Sequence, residues 1–295
     1  MEGTFHDDLR DFWRLAGPVY EADPVRHTVA LSVLAAERAR PNDSPFPVMQ
    51  FFTFQVAAEA VGAAFRTPPR PLHVSGIPLQ YIPEIVSRWH ATDPGLTGVT
   101  GPRAIAEAFA IEWTRITGTQ SRTVTDQMLY RLGELAPPAS VPGRPRLADP
   151  DDLPLLTGYR QGFDRDTHTR SRRSTEVVKA DIAWWLDLGY GFVLWEVDGE
   201  PVSLAVARSP VLEMSRIAVV YTPPEARGHG YASAATASAA RWAIDAGAEH
   251  VLLHTDLANP TSNAIYQRIG FRPVDDCVEL EFTEAKVAKA TDSSG

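Results

Sequence analysis

The stretch that most constrains this chain is a strand, a glycine-bearing loop and a helix in immediate succession. Val219, Val220 and Tyr221 close an apolar strand, the loop from Thr222 carries Arg227, Gly228, His229 and Gly230, and the residues from Tyr231 onward are mostly alanine and serine. Backbone N–H groups in such a turn, added to the free N–H groups of a helix's first turn, form a pocket for an anion such as a phosphate. Glycines let the backbone approach that anion without a Cβ in the way. Ala232, Ala234, Ala235, Ala237, Ala239 and Ala240 allow the helix to lie close on a sheet. Taken by itself, this loop is explained equally well by an ordinary tight strand-to-helix turn.

The rest of the chain sets limits around it. A length of 295 residues, 44% hydrophobic and 22% charged, is globular, long for one domain and comfortable for two. Between Ala136 and Pro145 four prolines and a glycine occur without apolar periodicity, which reads as a linker. The expected organisation is a domain at 1–135, a linker at 136–145, a second domain at 146–283 and a flexible tail at 284–295. No run approaches the ~20 apolar residues of a bilayer helix. The start of the chain is acidic and lacks the profile of a signal peptide. The single cysteine, Cys277, leaves no internal disulfide and no multi-thiolate metal site. A cytoplasmic protein without metal or membrane follows as the expectation. The net charge of −9 speaks against nucleic acid and suits a cationic substrate.

In the second half the order of elements reads clearly. A short strand begins at Arg146 and a helix capped by Asp149 or Asp151 runs to Phe163. A second helix covers 175–188, and a hairpin follows, turning at Asp198-Gly199. A strand at 214–221 enters the glycine loop, and the helix from Tyr231 ends at Gly247. A strand at 250–256, a helix at 262–269 capped by Ser262, and a strand pair at 272–282 complete it. The first half shows apolar strands at 48–54 and 72–74 and helices at 83–90, 103–117 and 124–135. Its nearest approach to a glycine loop, 95–102, contains Pro102, which removes a donor. The fold class is α/β in the α+β sense: mixed, mainly antiparallel sheets flanked by helices.

Two motifs in the second half resemble the GNAT superfamily of acyl-CoA-dependent N-acetyltransferases. Arg227-x-x-Gly230-x-Ala232 is similar to the family's Arg/Gln-x-x-Gly-x-Gly/Ala loop. Asn259-Pro260-Thr261-Ser262-Asn263-Ala264-Ile265-Tyr266-Gln267-Arg268-Ile269-Gly270-Phe271 is similar to its Asn-x-x-Ser-Asn-x-x-Tyr-x-x-x-Gly-Phe signature. The resemblance covers 144–283 and implies two GNAT-like domains, the first a degenerate copy without the loop. It implies acetyl-CoA as co-substrate, with Val220, Tyr221 and Thr222 along its pantetheine arm. Arg227, Gly228, His229, Gly230, Tyr231, Ala232 and Ser233 would lie about its pyrophosphate, Asn259 would hydrogen-bond its pantetheine or the splayed strand edge, and Asn263 would also contact the coenzyme.

The implied reaction is attack of an uncharged amine on a thioester. A tyrosine with a pKa near 10 can protonate the departing thiolate, and Tyr266 matches the family's tyrosine for that role. A backbone N–H near 220–222 would polarise the carbonyl. The proton on the incoming ammonium has three candidate acceptors: His254, which stands where many members carry a glutamate; Glu213, at the start of the strand entering the loop; and water. Arg165, Arg170, Arg172 and Arg173 cluster where the family has its acceptor-binding wall, and read either as a solvated charge run or as anion-binding groups. Of Trp184 and Trp185, one is expected in the core and the other in the acceptor cleft. The expected partner is a small-molecule amine, with self-association as a homodimer compatible. The alternatives are a peptide or protein amine as acceptor, and an acyl-CoA-binding regulatory module without turnover.

Overall fold

The computed structural model describes residues 1–40, 48–167 and 173–284. Arg170, Arg172 and the tail beyond 284 lie outside the described residues. The first half runs β1 (Glu2–His6), α1 (Leu9–Glu21), α2 (Thr28–Arg38), β2 (Gln50–Val56), β3 (Glu59–Arg66), β4 (Leu72–Gly76), α3 (Ile82–Thr92), β5 (Gly98–Pro102), α4 (Arg103–Thr117) and β6 (Gln120–Leu132). The second half repeats the same order as β7 (Arg144–Leu147), α5 (Leu153–Asp166), α6 (Thr175–Asp187), β8 (Gly191–Val197), β9 (Glu200–Ala207), β10 (Met214–Tyr221), α7 (Tyr231–Asp245), β11 (His250–Asp256), α8 (Pro260–Arg268) and β12 (Phe271–Thr283). The chain is thus built of two like halves, each a mixed sheet with helices.

The residues form two compact units that are not contiguous in sequence. One gathers 1–19, 48–126 and 276–284; the other gathers 20–40, 127–167 and 173–275. The first unit's strands lie in the order β1-β2-β3-β4-β5-β12, with Cys277 to Glu281 of β12 antiparallel to Pro102 to Gly98 of β5. The second unit's order is β6-β11-β10-β9-β8-β7, with Gln127 to Arg131 of β6 antiparallel to Asp256 to Leu252 of β11. The closing strand of each repeat therefore serves the sheet of the other.

Three expectations are corrected here. The stretch 124–135 is not a helix: apolar Val124, Met128 and Leu132 fit helical spacing, but they also fall on alternate positions of a strand, and β6 is what forms. The expected strand pair at 272–282 is a single strand, β12, because no turn interrupts it. The proline-rich stretch 136–145 is not a tether but is fastened within the second unit. Ala136 N donates to the Ile269 carbonyl, Trp195 Nε1 donates to the Pro142 carbonyl, and Arg144 and Pro145 already belong to β7.

In the first unit Ile85, Val86 and Trp89 of α3 and Ile105, Phe109 and Trp113 of α4 bury against Phe52, Phe54, Leu72 and Val74. The second unit's sheet is covered on both faces. Ala235, Ala239, Ala240 and Ala243 of α7 pack with Ala205, Ile217, Val251 and Leu253, and Tyr266 of α8 joins that cluster. On the opposite face Leu156 of α5 and Val178 and Ile182 of α6 pack with Phe192, Leu204, Val206 and Val219. Helix α2 also belongs to this unit: Thr28 Oγ1 donates to Met214 Sδ at 2.8 Å.

His27, just before α2, is buried, and burial together with Arg26 holds its pKa down to about 4 against the opposing charge of Asp23. Because the folded pKa lies below the unfolded one near 6.5, the unfolded chain binds the proton first. This contribution is complete above pH 6.5 and is lost as pH falls toward 4. Stability should drop by about 2 kcal/mol between pH 7 and pH 5 from this residue. Denaturant midpoints at the two pH values measure it, and His27→Gln should make the slope shallower.

Candidate active site

The site begins where two parallel strands part. β10 pairs with β11 from Met214↔His250 to Ile217↔Leu253 and no further, although β10 continues to Tyr221 and β11 to Asp256. On its other edge β10 stays paired with β9, but the register slips between Ile217 and Val219, so that Ala218 is an extra residue. Such a bulge bends and twists a strand locally. The result is a fork whose β10 arm, 218–221, keeps one edge without a partner strand among the described residues.

The arm leads into the glycine loop. Thr222 is pinned there, its hydroxyl 2.8 Å from Ser203 Oγ and its carbonyl accepting from Arg227 Nε at 2.9 Å. Arg227 also pairs with Asp166 at the end of α5, a residue for which the sequence offered no signal. Gly230, at φ +83°, is the N-cap of α7, and no side chain caps that end. The first intrahelical bond runs from Ala234 N to the Gly230 carbonyl, so the amides of Tyr231, Ala232 and Ser233 are the free first-turn donors. A side chain at 230 would bring a strained φ and a Cβ 3.1 Å from Val141 Cγ2. His229 and Tyr231 stack with ring centroids 5.4 Å apart beside these amides.

The far arm leads through the Asn259 turn into α8. Asn259, not Ser262, caps this helix: its side chain accepts from Ser262 N at 3.0 Å, because Pro260 takes the first helical position and leaves the cap to the residue before it. Asn263 is held from several sides. Its Nδ2 donates to the carbonyls of Asp256 and Asn259, and its Oδ1 accepts from Tyr130 Oη at 3.1 Å. Tyr130, on β6, also accepts from Gln267; the reading of that stretch as a helix hid its part in the site. Tyr266 is buried beside Phe271, and burial pushes its phenol up to about 12 against an opposing hydrogen bond with Ser262. It is therefore a neutral hydroxyl through the whole neutral range.

His254 is the first residue of β11 beyond the last β10 pair, so it stands at the crotch of the fork. Burial and the nearby Arg216 hold its pKa down to about 3. It is neutral at pH 7 but a weak base. Glu213 is not brought to the site. It lies exposed before Met214 at the far end of β10, roughly 26 Å from Tyr221 at 3.3 Å per strand residue, in a left-handed turn conformation at φ +59°. Of the arginine cluster, Arg173 is taken by Asp164 and Asp181, and Arg165 is exposed. Trp185 packs against the α5–α6 core. A groove of about 400 Å³ between α7 and Trp195 touches neither the fork nor the loop. Among the described residues no group of three or more His, Cys, Asp or Glu could hold a metal. No helix among them is long and apolar enough to cross a membrane.

The glycine-loop motif thus ends one arm of the fork, at the uncapped start of α7, and the Asn259–Phe271 motif follows the other arm. The model of the acetyltransferase (GNAT) family matches residues 159–271. The second half is a GNAT acetyltransferase domain. Among solved structures, a GNAT-family acetyltransferase from Colwellia psychrerythraea aligns over 96% of this chain and 100% of its own, at 12% identity and a TM-score of 0.65. A GCN5-related N-acetyltransferase from Sphaerobacter thermophilus aligns over 96% and 95%, at 17% identity and a TM-score of 0.60. A tandem GNAT protein from the clavulanic acid biosynthesis pathway aligns over 97% and 100%, at 12% identity and a TM-score of 0.56. At these identities the likeness speaks for the fold, here of both GNAT-like halves together. No curated protein matches the chain in sequence.

The first GNAT-like half keeps part of the same geometry. β4 and β5 pair only at Leu72↔Val99 and His73↔Thr100, and β4 is out of step with β3 between Ala63 and Phe65. Its strands stay close beyond the ladder, however: a Cβ on Gly101 would lie 3.3 Å from Ser75 N. After β4 comes Ile77-Pro78 and a short 3₁₀ turn instead of a glycine loop.

Proposed function

We propose that the protein transfers the acetyl group of acetyl-CoA to the primary amine of a small molecule, by direct attack in a ternary complex. The observation that carries this reading is the fork between β10 and β11 opening onto the uncapped N-terminus of α7. The amides from Gly228 to Ser233 suit a pyrophosphate, that of Arg227 being taken by the Pro224 carbonyl, and the free edge at Val220, Tyr221 and Thr222 suits the amides of a pantetheine arm. Asn259 and Asn263 hold the far arm of the fork in place rather than reaching for the coenzyme with their own side chains.

Acetyl-CoA supplies the acyl group as a thioester. As the amine nitrogen bonds to the carbonyl carbon the C–S bond breaks, and Tyr266 gives its proton to the departing sulfur. The phenol's raised pKa keeps that proton available at pH 7. A backbone N–H of the β10 arm meets the developing oxyanion. The excess proton of the acceptor ammonium leaves through water or a neutral His254, and the proton that the nitrogen sheds on becoming an amide restores the Tyr266 hydroxyl. With its pKa so low, His254 serves as a relay rather than as a strong base.

Calorimetry of acetyl-CoA on the full chain tests the binding part: one site per chain is expected, since the loop occurs once and the first half's strands stay closed. Two equivalent sites would refute it. Gly230→Val should weaken acetyl-CoA at least about tenfold, through a left-handed backbone cost of 1–2 kcal/mol and the contact with Val141. Thiol release from acetyl-CoA with added amines tests transfer. Binding without thiol release would make the protein a sensor.

A further inference from the structure

We infer that the acceptor is an amine that also carries a carboxylate, and that Arg208, on the α5–α6 face of the second unit's sheet, is the group that binds it. This rests on the acetyl-transfer reading and deepens it. Ala207, Ile217 and Leu253 all face the α7–α8 core. By strand alternation their neighbours Arg208, Arg216 and His254 face the other way. The three are side by side: Arg208 N donates to the Arg216 carbonyl, Arg216 is in register with Leu252, and His254 stands at the fork. A row of two guanidiniums thus ends at the point where the acyl group would be attacked.

Arg208 is oriented without being neutralised. Its Nη1 donates to the Ser32 carbonyl on α2 at 2.9 Å, and its guanidinium carbon lies 5.5 Å from the Tyr190 ring and 6.0 Å from that of Trp185. Its Nε is buried without a partner. Among the described residues the groups acting on its charge are Tyr190, which supports it, and Arg160, itself paired with Asp164, which opposes it; no carboxylate of the described residues is among them. Arg160 lies over the same Trp185 ring at 5.2 Å. A buried guanidinium left without an anion is costly, and its planar donor edge matches a carboxylate. Arg216 is aimed by the same residue, donating through Nε and Nη2 to Ser32 Oγ.

The local charges select the acceptor. The whole chain is acidic, which suits a cation, and on this face Arg160 and Arg173 are paired with Asp164 and Asp181, but the guanidiniums of Arg208 and Arg216, both anchored on Ser32, oppose the approach of a plain ammonium. An amine bearing a carboxylate is drawn in by its anionic end. Beside Arg216 its ammonium is pushed toward the free amine, as His254 is pushed toward the neutral form. The nucleophile is then produced without a strong base.

The test is acetyl transfer by the full chain to matched pairs: glycine, β-alanine, γ-aminobutyrate and para-(aminomethyl)benzoate, each against its carboxamide. At least one acid should be acetylated with kcat/KM about 10²-fold above its amide, the scale for a buried charge-assisted contact. Arg208→Lys should erase most of that ratio through KM, with kcat and acetyl-CoA affinity little changed, and Arg208→Met should do so more fully. Equal rates within pairs, amides preferred, or no acid acetylated overturns the inference. So does an Arg208 variant with a lowered Tm but an unchanged ratio, which marks a merely structural arginine. Failure of the wild-type chain to bind acetyl-CoA overturns the transferase reading instead.

Discussion

Tyr266→Phe is expected to lower kcat by about 10²–10³, the usual scale for a positioned acid, with acetyl-CoA affinity nearly unchanged. The ring stays where it is, among Leu253, Ile269 and Phe271, so the core loses one hydroxyl and no volume. What disappears is a proton donor that burial keeps in its neutral form. Because the phenol's pKa is pushed up to about 12, the loss should persist from pH 6 to pH 9 and kcat/KM should fall in step with kcat. Steady-state kinetics of thiol release at three pH values decide it. Unchanged turnover would mean that the thiolate leaves unassisted.

Gly270→Ala should cost stability on the order of 3 kcal/mol or more, enough to leave the second unit poorly folded. Gly270 has φ +111°, and a Cβ there would lie 1.9 Å from the Glu134 carbonyl oxygen. The backbone cannot retreat easily, since Gly133 N donates to the Gly270 carbonyl and Ala136 N to that of Ile269. The glycine of the Gly-Phe pair is thus there for the segment after β6 packed against it rather than for the coenzyme. Urea unfolding of the variant is the measurement. A midpoint within experimental error of wild type would show that this contact relaxes at little cost.

How legible each part was depends on how local its cause is. The β8–β9 hairpin is announced by Asp198-Gly199, both at positive φ. Its counterpart between β2 and β3 turns at Ala57 and Ala58, also both at positive φ, and two alanines signal nothing of the kind. β5 hides in a glycine-rich stretch that reads as loop, and β6 carries a spacing compatible with either period. At the site, the loop and α8 are local and their motifs stand out. The fork and the bulge are matters of register between distant strands, which no single segment encodes. Arg208 and Arg216 look like ordinary strand charges until their neighbours place them on one face. The interleaving of the units is invisible for the same reason: an apolar strand does not say which sheet it joins.

That interleaving has a consequence for the order in which the protein is made. When the first half leaves the ribosome, β5 has an open edge that only β12 will close, roughly 150 residues later. At about 5–20 residues per second this is a wait of about 8–30 s. Meanwhile β6, already synthesised and directly after α4, is the local strand free to take that place, although its destination is β11. Translation thus sets a contest between a quick neighbour and a late rightful partner. Loss of the final twenty residues would injure the half synthesised first, and a fragment beginning at 144 would leave β11 without its outer strand.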